Sequence, residues 1–142
     1  MNQSIDPRDI YPLSEKAPEL VQTTTGLGLA DFSLQAVLDG RIAAADLAIT
    51  PSVLRLQASV ARAGGRDRLA GNFDRAAELV SVPQELLLST YELLRPGRAG
   101  SAMGLRARAS ELREKYGAKH IAALIEEAAD VYEKRGLFSK RF

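Results

Sequence analysis

From Pro51 onward, apolar residues recur at three- and four-residue spacings, and no run alternates with period two for long enough to read as a strand. The pattern predicts an all-α chain. Thr50-Pro51 is a helix start, a capping hydroxyl followed by proline at the first helical position, and Gly64-Gly65 is its stop. At roughly 100° per residue, Leu54, Ala58 and Ala61 share one face of that helix, and Val53, Leu56 and Val60 the opposite face. A helix apolar on two faces is central to a core, or sandwiched between a core and another chain. The stretch 66–80 is amphipathic. Leu69, Phe73, Ala76 and Val80 form its stripe, while Asp67, Arg68, Asp74, Arg75 and Glu78 fall on the far side. This mixed-charge face is either solvated, with i,i+4 pairs, or a polar docking face for another protein.

Pro83 starts a further helix that must end near Arg95, because Pro96 follows. Residues 96–104 read as a loop, in which Ser101 could cap a helix through Leu105, Leu112 and Tyr116, closed by Gly117. The stretch 118–135 is the most regular. Its stripe is Ile121, Ile125, Ala128 and Tyr132, with Leu124 and Val131 alongside, and Gly136 ends it. Upstream, Asp31 is expected to cap a short helix ended by Gly40, and 43–47 to add one more turn. Residues 1–30 read as irregular, since Pro7, Pro12 and Pro18 break any helix and 23–28 is polar and glycine-containing. Ile10, Tyr11, Leu13, Leu20 and Val21 nonetheless supply apolar anchors. The expectation is an extended N-terminal arm over 1–30, lying across its own surface or a partner's. A single helical domain of about five short helices then covers 31–142.

Composition narrows the function classes. A length of 142 residues, 46% hydrophobic and 26% charged, suits one ordinary globular domain. Nineteen Lys and Arg against 18 Asp and Glu leave a net charge of +1, which weighs against a nucleic-acid binder. Residues 95–116 carry six cations and two anions, and 133–142 carry a local +3, but no aromatic interleaving suggests base stacking. With no cysteine and one histidine, His120, thiolate chemistry and multi-His metal sites have no residues to use. Uncharged apolar runs stay far below the roughly 20 residues of a membrane span, and the first 13 residues lack a signal-peptide pattern. The cytoplasm is the default location.

Catalytic motifs are missing. Gly26-Leu27-Gly28 and Gly64-Gly65 lack the strand-then-helix context of a phosphate cradle. His120 has no carboxylate placed beside it by spacing and reads as a surface or boundary histidine. Glu126 and Glu127 diverge by about 100° and cannot face each other. Glu111 and Glu114 lie near Arg108 and Lys115, which predicts a solvated ion-pair network. The residues therefore describe a helical chain without a self-contained active site, and either a subunit of a larger assembly or a free-standing helical adaptor is consistent with that.

The stretch from Gly65 to Leu79, GRDRLAGNFDRAAEL, followed by Val82-Pro83, closely resembles the small (gamma) subunit of adenosylcobalamin-dependent diol and glycerol dehydratases. Other matching pieces occur in the same order. They are Tyr11-Pro12-Leu13, then Asp31 to Leu34 with Val37-Leu38, Ile49-Thr50-Pro51 with Leu54 to Ala58, Tyr91 to Pro96 with Arg98, and Glu127-Ala128 with Tyr132 and Arg135. The loop after Arg98 and the acidic Glu126 depart from the family pattern. The resemblance implies a heterohexamer, a dimer of three-subunit units. Its large barrel subunit holds the substrate, and its adenosylcobalamin lies between the large and medium subunits. The small subunit in such an assembly is helical, packs mainly on the large one and carries no catalytic, cofactor or metal residue. The leader before Tyr11 is short, which tilts the expectation toward the free cytoplasm, or toward encapsulation in a bacterial microcompartment through another subunit. Candidate subunit-interface residues are Tyr11, Leu13, Arg66, Arg68, Asn72, Arg75, Glu78, Arg95 and Arg98.

Overall fold

The structure is a computed structural model in which residues 6–138 are described. The first five residues of the leader, and the end of the basic C-terminal stretch from 139, lie outside the described residues. Among the described residues the regular structure is helical, with one isolated bridge, Gln22 to Gly28. The chain is organised as two compact units, Met1–Ala77 and Glu78–Phe142.

In the first unit, the N-terminal segment is more folded than an extended arm. Pro12 precedes a single turn, α1 (Leu13–Lys16), and Pro18 opens a 3-10 turn, Pro18–Leu20. Proline is tolerated at these positions because its missing N–H would be unpaired in a first turn anyway. Ile10 and Ala17 are buried, while Tyr11 stays two-thirds exposed. A second 3-10 turn, Leu29–Asp31, precedes α2 (Leu34–Leu38). Asp31 does not cap α2. Ser33 does, its hydroxyl accepting the Ala36 N–H at 3.1 Å; Asp31 lies two residues earlier, in the preceding turn, where its carboxylate accepts the Gly28 N–H at 2.8 Å. Gly40 ends the element in the left-handed conformation, as its position predicts. The extra turn is Ala44–Leu47.

Thr50 and Pro51 start α3 (Pro51–Ala63) as expected, and the Thr50 hydroxyl accepts the Val53 N–H at 3.4 Å. Leu54, Ala58 and Ala61 are its buried face; Val53, Leu56 and Val60 are half-buried. Helix α4 (Asp67–Leu79) differs from its sequence reading. Ala70 and Ala77 are the buried positions, whereas Leu69 and Val80 of the expected stripe are exposed. Ala58, Ala61 and Ala70 form a small cluster with Phe73 against it. Alanines allow close approach between neighbouring elements, and that displaces the larger side chains to the flanks.

The second unit holds α5 (Gln84–Leu94), α6 (Ala102–Tyr116) and α7 (Lys119–Arg135). Ser101 caps α6 by accepting the Gly104 N–H at 3.3 Å, so 102–104 form its first turn and the loop is shorter than expected. Gly117, at φ +64°, closes α6 by sending its N–H to the Arg113 carbonyl, while the Ala118 N–H reaches Leu112. The chain then turns straight into α7. Ion pairs of Arg106 with Asp130 and of Arg113 with Glu126 show that α6 and α7 run antiparallel. Leu105, Leu112 and Ile125 are fully buried between them, with Ala109, Ala118, Ala122 and Ala129. Along α7 and its N-cap the deepest positions are Ala118, Ala122, Ile125 and Ala129; Ile125 of the expected stripe is among them, while Ile121, Ala128 and Tyr132 are half-buried beside it. The Tyr132 hydroxyl donates to the Leu94 carbonyl, tying α7 to the end of α5.

Candidate interaction surface

Two polar clusters lie inside the units, and both complete backbone structure. In the second unit Glu78 is buried, and its carboxylate accepts the backbone N–H groups of His120 and Ile121 at 3.0 Å. The His120 Nδ1 lies 2.6 Å from the same carboxylate. Helix α7 has no capping side chain at its own start, Ala118, so Glu78 supplies the anionic cap from 42 residues away. In the first unit Asp46 is buried and accepts from the Thr25 hydroxyl and, at 2.8 Å, from the Ala43 N–H. These bonds, the Thr25 one foremost, hold its carboxyl below the ordinary range.

About half of the remaining described charges are paired on the surface. Arg113 grips Glu126 with two bonds of 2.9 and 2.7 Å, which accounts for an acidic residue at 126 and lowers its carboxyl pKa. Glu111 lies 3.0 Å from Lys115 and 3.3 Å from Arg108, the ion-pair network expected there. Arg108 also reaches the hydroxyls of Ser89 and Thr90 at 2.8 and 2.7 Å, so it joins α6 to α5. Among the described residues, no group of three or more His, Asp or Glu could hold a metal ion. No helix among them is long and apolar enough to cross a membrane.

What stands open is apolar. Leu34 and Leu38 on α2 are 77% and 71% exposed, and Leu47 of the following turn 72%. Val37 and Ile49 join them. On the second unit Leu88, Tyr91 and Met103 are exposed. The first unit also contains a cavity of about 660 Å³. Tyr11, Leu29, Leu69 and Phe73 are among its apolar walls, with Gln57 and Arg66 as polar neighbours.

The residues singled out from sequence fall in different places. Tyr11, Leu13 and Arg66 meet at this cavity. Arg68 and Asn72 are exposed on α4, and Arg75 turns its guanidinium to the Asn72 side-chain oxygen. Arg95 pairs with Glu92 at 2.7 Å, and Arg98 is exposed. Glu78 is the correction: expected on an open charged face, it is buried and consumed by the α7 cap. Sequence reading missed this role, as it missed the exposed leucines of α2.

The described residues thus form an all-α chain that uses its buried carboxylates for capping and sets large apolar side chains on its surface. The particular family follows from comparison: the chain belongs to the dehydratase small-subunit family, whose model matches residues 7–139. It is 50% identical over 125 residues to the propanediol dehydratase small subunit of Salmonella typhimurium, covering 88% of this chain and 72% of that one. It is 49% identical, over the same extent, to the propanediol dehydratase small subunit of Citrobacter freundii.

Proposed function

We propose that this chain is the non-catalytic small subunit of an adenosylcobalamin-dependent propanediol or glycerol dehydratase, and that it stabilises the large catalytic subunit. The observation that carries the reading is the 50% identity extending over 88% of the chain. The surface supports it: leucines exposed on a short helix are expected of a chain whose fold is completed by partners. The reaction is loss of water from propane-1,2-diol to give propanal, or from glycerol to give 3-hydroxypropanal. The partners are the large and medium subunits, in a dimer of heterotrimers working in the cytoplasm.

When bound, the cofactor supplies the radical that starts the reaction. The resemblance implies that adenosylcobalamin is held by the large and medium subunits, and the role proposed for this chain is linkage: by binding the folded large subunit it raises that subunit's stability by mass action. The test is to express the large and medium subunits with and without this chain and measure cobalamin-dependent aldehyde formation. Loss of activity or of intact large subunit without it is expected. Equal activity without it, or aldehyde formed by this chain alone, would overturn the reading.

A further inference from the structure

We propose that Glu78 and His120 form a proton-sensitive clasp, which tightens the start of α7 when the imidazole takes up a second proton. The two side chains differ in environment: the carboxylate is 8% exposed and the imidazole 48%, with Nδ1 at 2.6 Å. The backbone N–H groups of His120 and Ile121 donate to the same carboxylate. A carboxylate only accepts, so Nδ1 must bring the proton to this contact. That fixes the tautomer of the neutral ring and leaves its lone pair on Nε2. A proton gained at Nε2 leaves every one of these bonds in place. It turns the Nδ1 contact into an ion pair, the stronger kind of hydrogen bond.

Glu78 sets the sign of the effect. His120 lies in the first turn of α7, where the helix dipole opposes a positive charge. Protonation alone would loosen that turn; beside a buried carboxylate at 2.6 Å the attraction wins. Among the described residues Glu78 is the ionisable group in contact with the ring. The other charges of the adjoining elements have partners of their own or stand in water. On α4, one turn before Glu78, Asp74 is held by Arg62 and Arg75 donates to Asn72. At the end of α6, Glu114 accepts from Ser110 and Lys115 pairs with Glu111. Lys119 on α7 and Glu85 on α5 are exposed. His120 is also the one histidine of a chain without cysteine. No other side-chain type present ordinarily changes charge between about pH 5.5 and 8. A histidine that gains an anionic partner on folding contributes stability that is fully present below its unfolded value, about 6.5, and is lost at higher pH.

The test is hydrogen exchange of the whole chain, read at the His120 and Ile121 amides at about pH 5.5 and about pH 8 and corrected for the intrinsic exchange rate. Opening of the wild-type head is expected to be roughly two- to fivefold rarer at the lower pH, the worth of a partly exposed ion pair. Amides in the middle of α7 should change less. His120→Gln removes the titrating ring and should show no such change. Glu78→Gln keeps an acceptor oxygen without the charge, and there acidification should loosen the head. The clasp is overturned if wild-type opening is unchanged or commoner at the lower pH. It is equally overturned if either variant tightens on acidification as the wild type does. Thermal melts at both pH values check that the variants remain folded, and the wild-type profile decides the sign by itself.

Discussion

The Glu78 carboxylate and His120 meet twice at the head of α7, once through the backbone N–H at 3.0 Å and once through the imidazole Nδ1 at 2.6 Å. With the Ile121 N–H on the same group, one buried side chain satisfies two of the donors that a helix start leaves open. Glu78→Ala strands those donors and leaves a void. The expected cost is about 1–3 kcal/mol, a fall in melting temperature of several degrees. Glu78→Gln keeps an acceptor oxygen and should cost less. Hydrogen exchange read at His120 and Ile121 should accelerate in the alanine variant before exchange in the middle of α7 does; uniform acceleration along α7 would contradict a local cap.

Asp46 gives a pH-dependent counterpart in the first unit. Its folded pKa lies below the ordinary 3.8 because Thr25 and Ala43 donate to the charged form. A depressed carboxylate stabilises the fold fully above the unfolded value, and the contribution is lost as pH falls from about there through the folded value. Asp46→Asn should therefore be less stable than wild type at neutral pH, with the difference shrinking below pH 4 or so. Denaturant melts at pH 7 and at the acid limit of folding test this, and a gap that widens on acidification would refute it.

The ends of the helices were legible in the chain, and their faces less so. Thr50-Pro51, Ser101, Gly117 and Gly136 act through local backbone chemistry, so each can be recognised without its neighbours. The buried line of α4 or α7 depends on what packs against it. Ala70, Ala118, Ala122 and Ala129 are the deepest positions because a small side chain permits close approach, yet a hydrophobicity pattern ranks the nearby Leu69 and Ile121 above them. The Glu78 cap spans 42 residues, and its one local sign was negative: α7 starts at Ala118 with no side chain to cap it. The exposed leucines of α2 looked like ordinary core residues, since amphipathicity does not say whether a face is covered within the chain.

Close packing by alanine makes a sharp prediction for the second unit. Ala122 is fully buried in the cluster shared by α6 and α7. Ala122→Leu adds three carbons where no space exists and should destabilise by about 1–3 kcal/mol. Leu112→Ala, at another fully buried position, should cost about 2–5 kcal/mol through transfer and cavity terms. Chemical denaturation of the isolated chain measures both. A leucine at 122 that leaves the midpoint unchanged would mean the two helices are not closely packed there.

The exposed charged face of α4 carries a separate prediction about assembly. Arg68 is exposed, and Arg75 donates to its own-helix neighbour Asn72. Arg68→Glu with Arg75→Glu should leave the melting temperature of the chain nearly unchanged, because surface charges contribute little to folding. Co-purification with the large subunit should nevertheless fall, and fall more at low salt, where repulsion of the reversed charges is least screened. Unchanged assembly and activity would remove this face from the interface.

Leu34 and Leu38 lie one turn apart on α2 and are 77% and 71% exposed, so the isolated chain gains almost nothing from them. Leu34→Ser with Leu38→Ser should leave folding intact and reduce self-association of the isolated chain. If a partner subunit covers the pair, each leucine contributes about 1.5–3 kcal/mol on burial, and losing both should weaken assembly on the order of a hundredfold or more. Sedimentation of the isolated variant and titration against the large and medium subunits measure the two effects separately. Wild-type assembly by this double variant would show that α2 faces water in the complex, and the subunit contacts would then have to lie elsewhere on the chain.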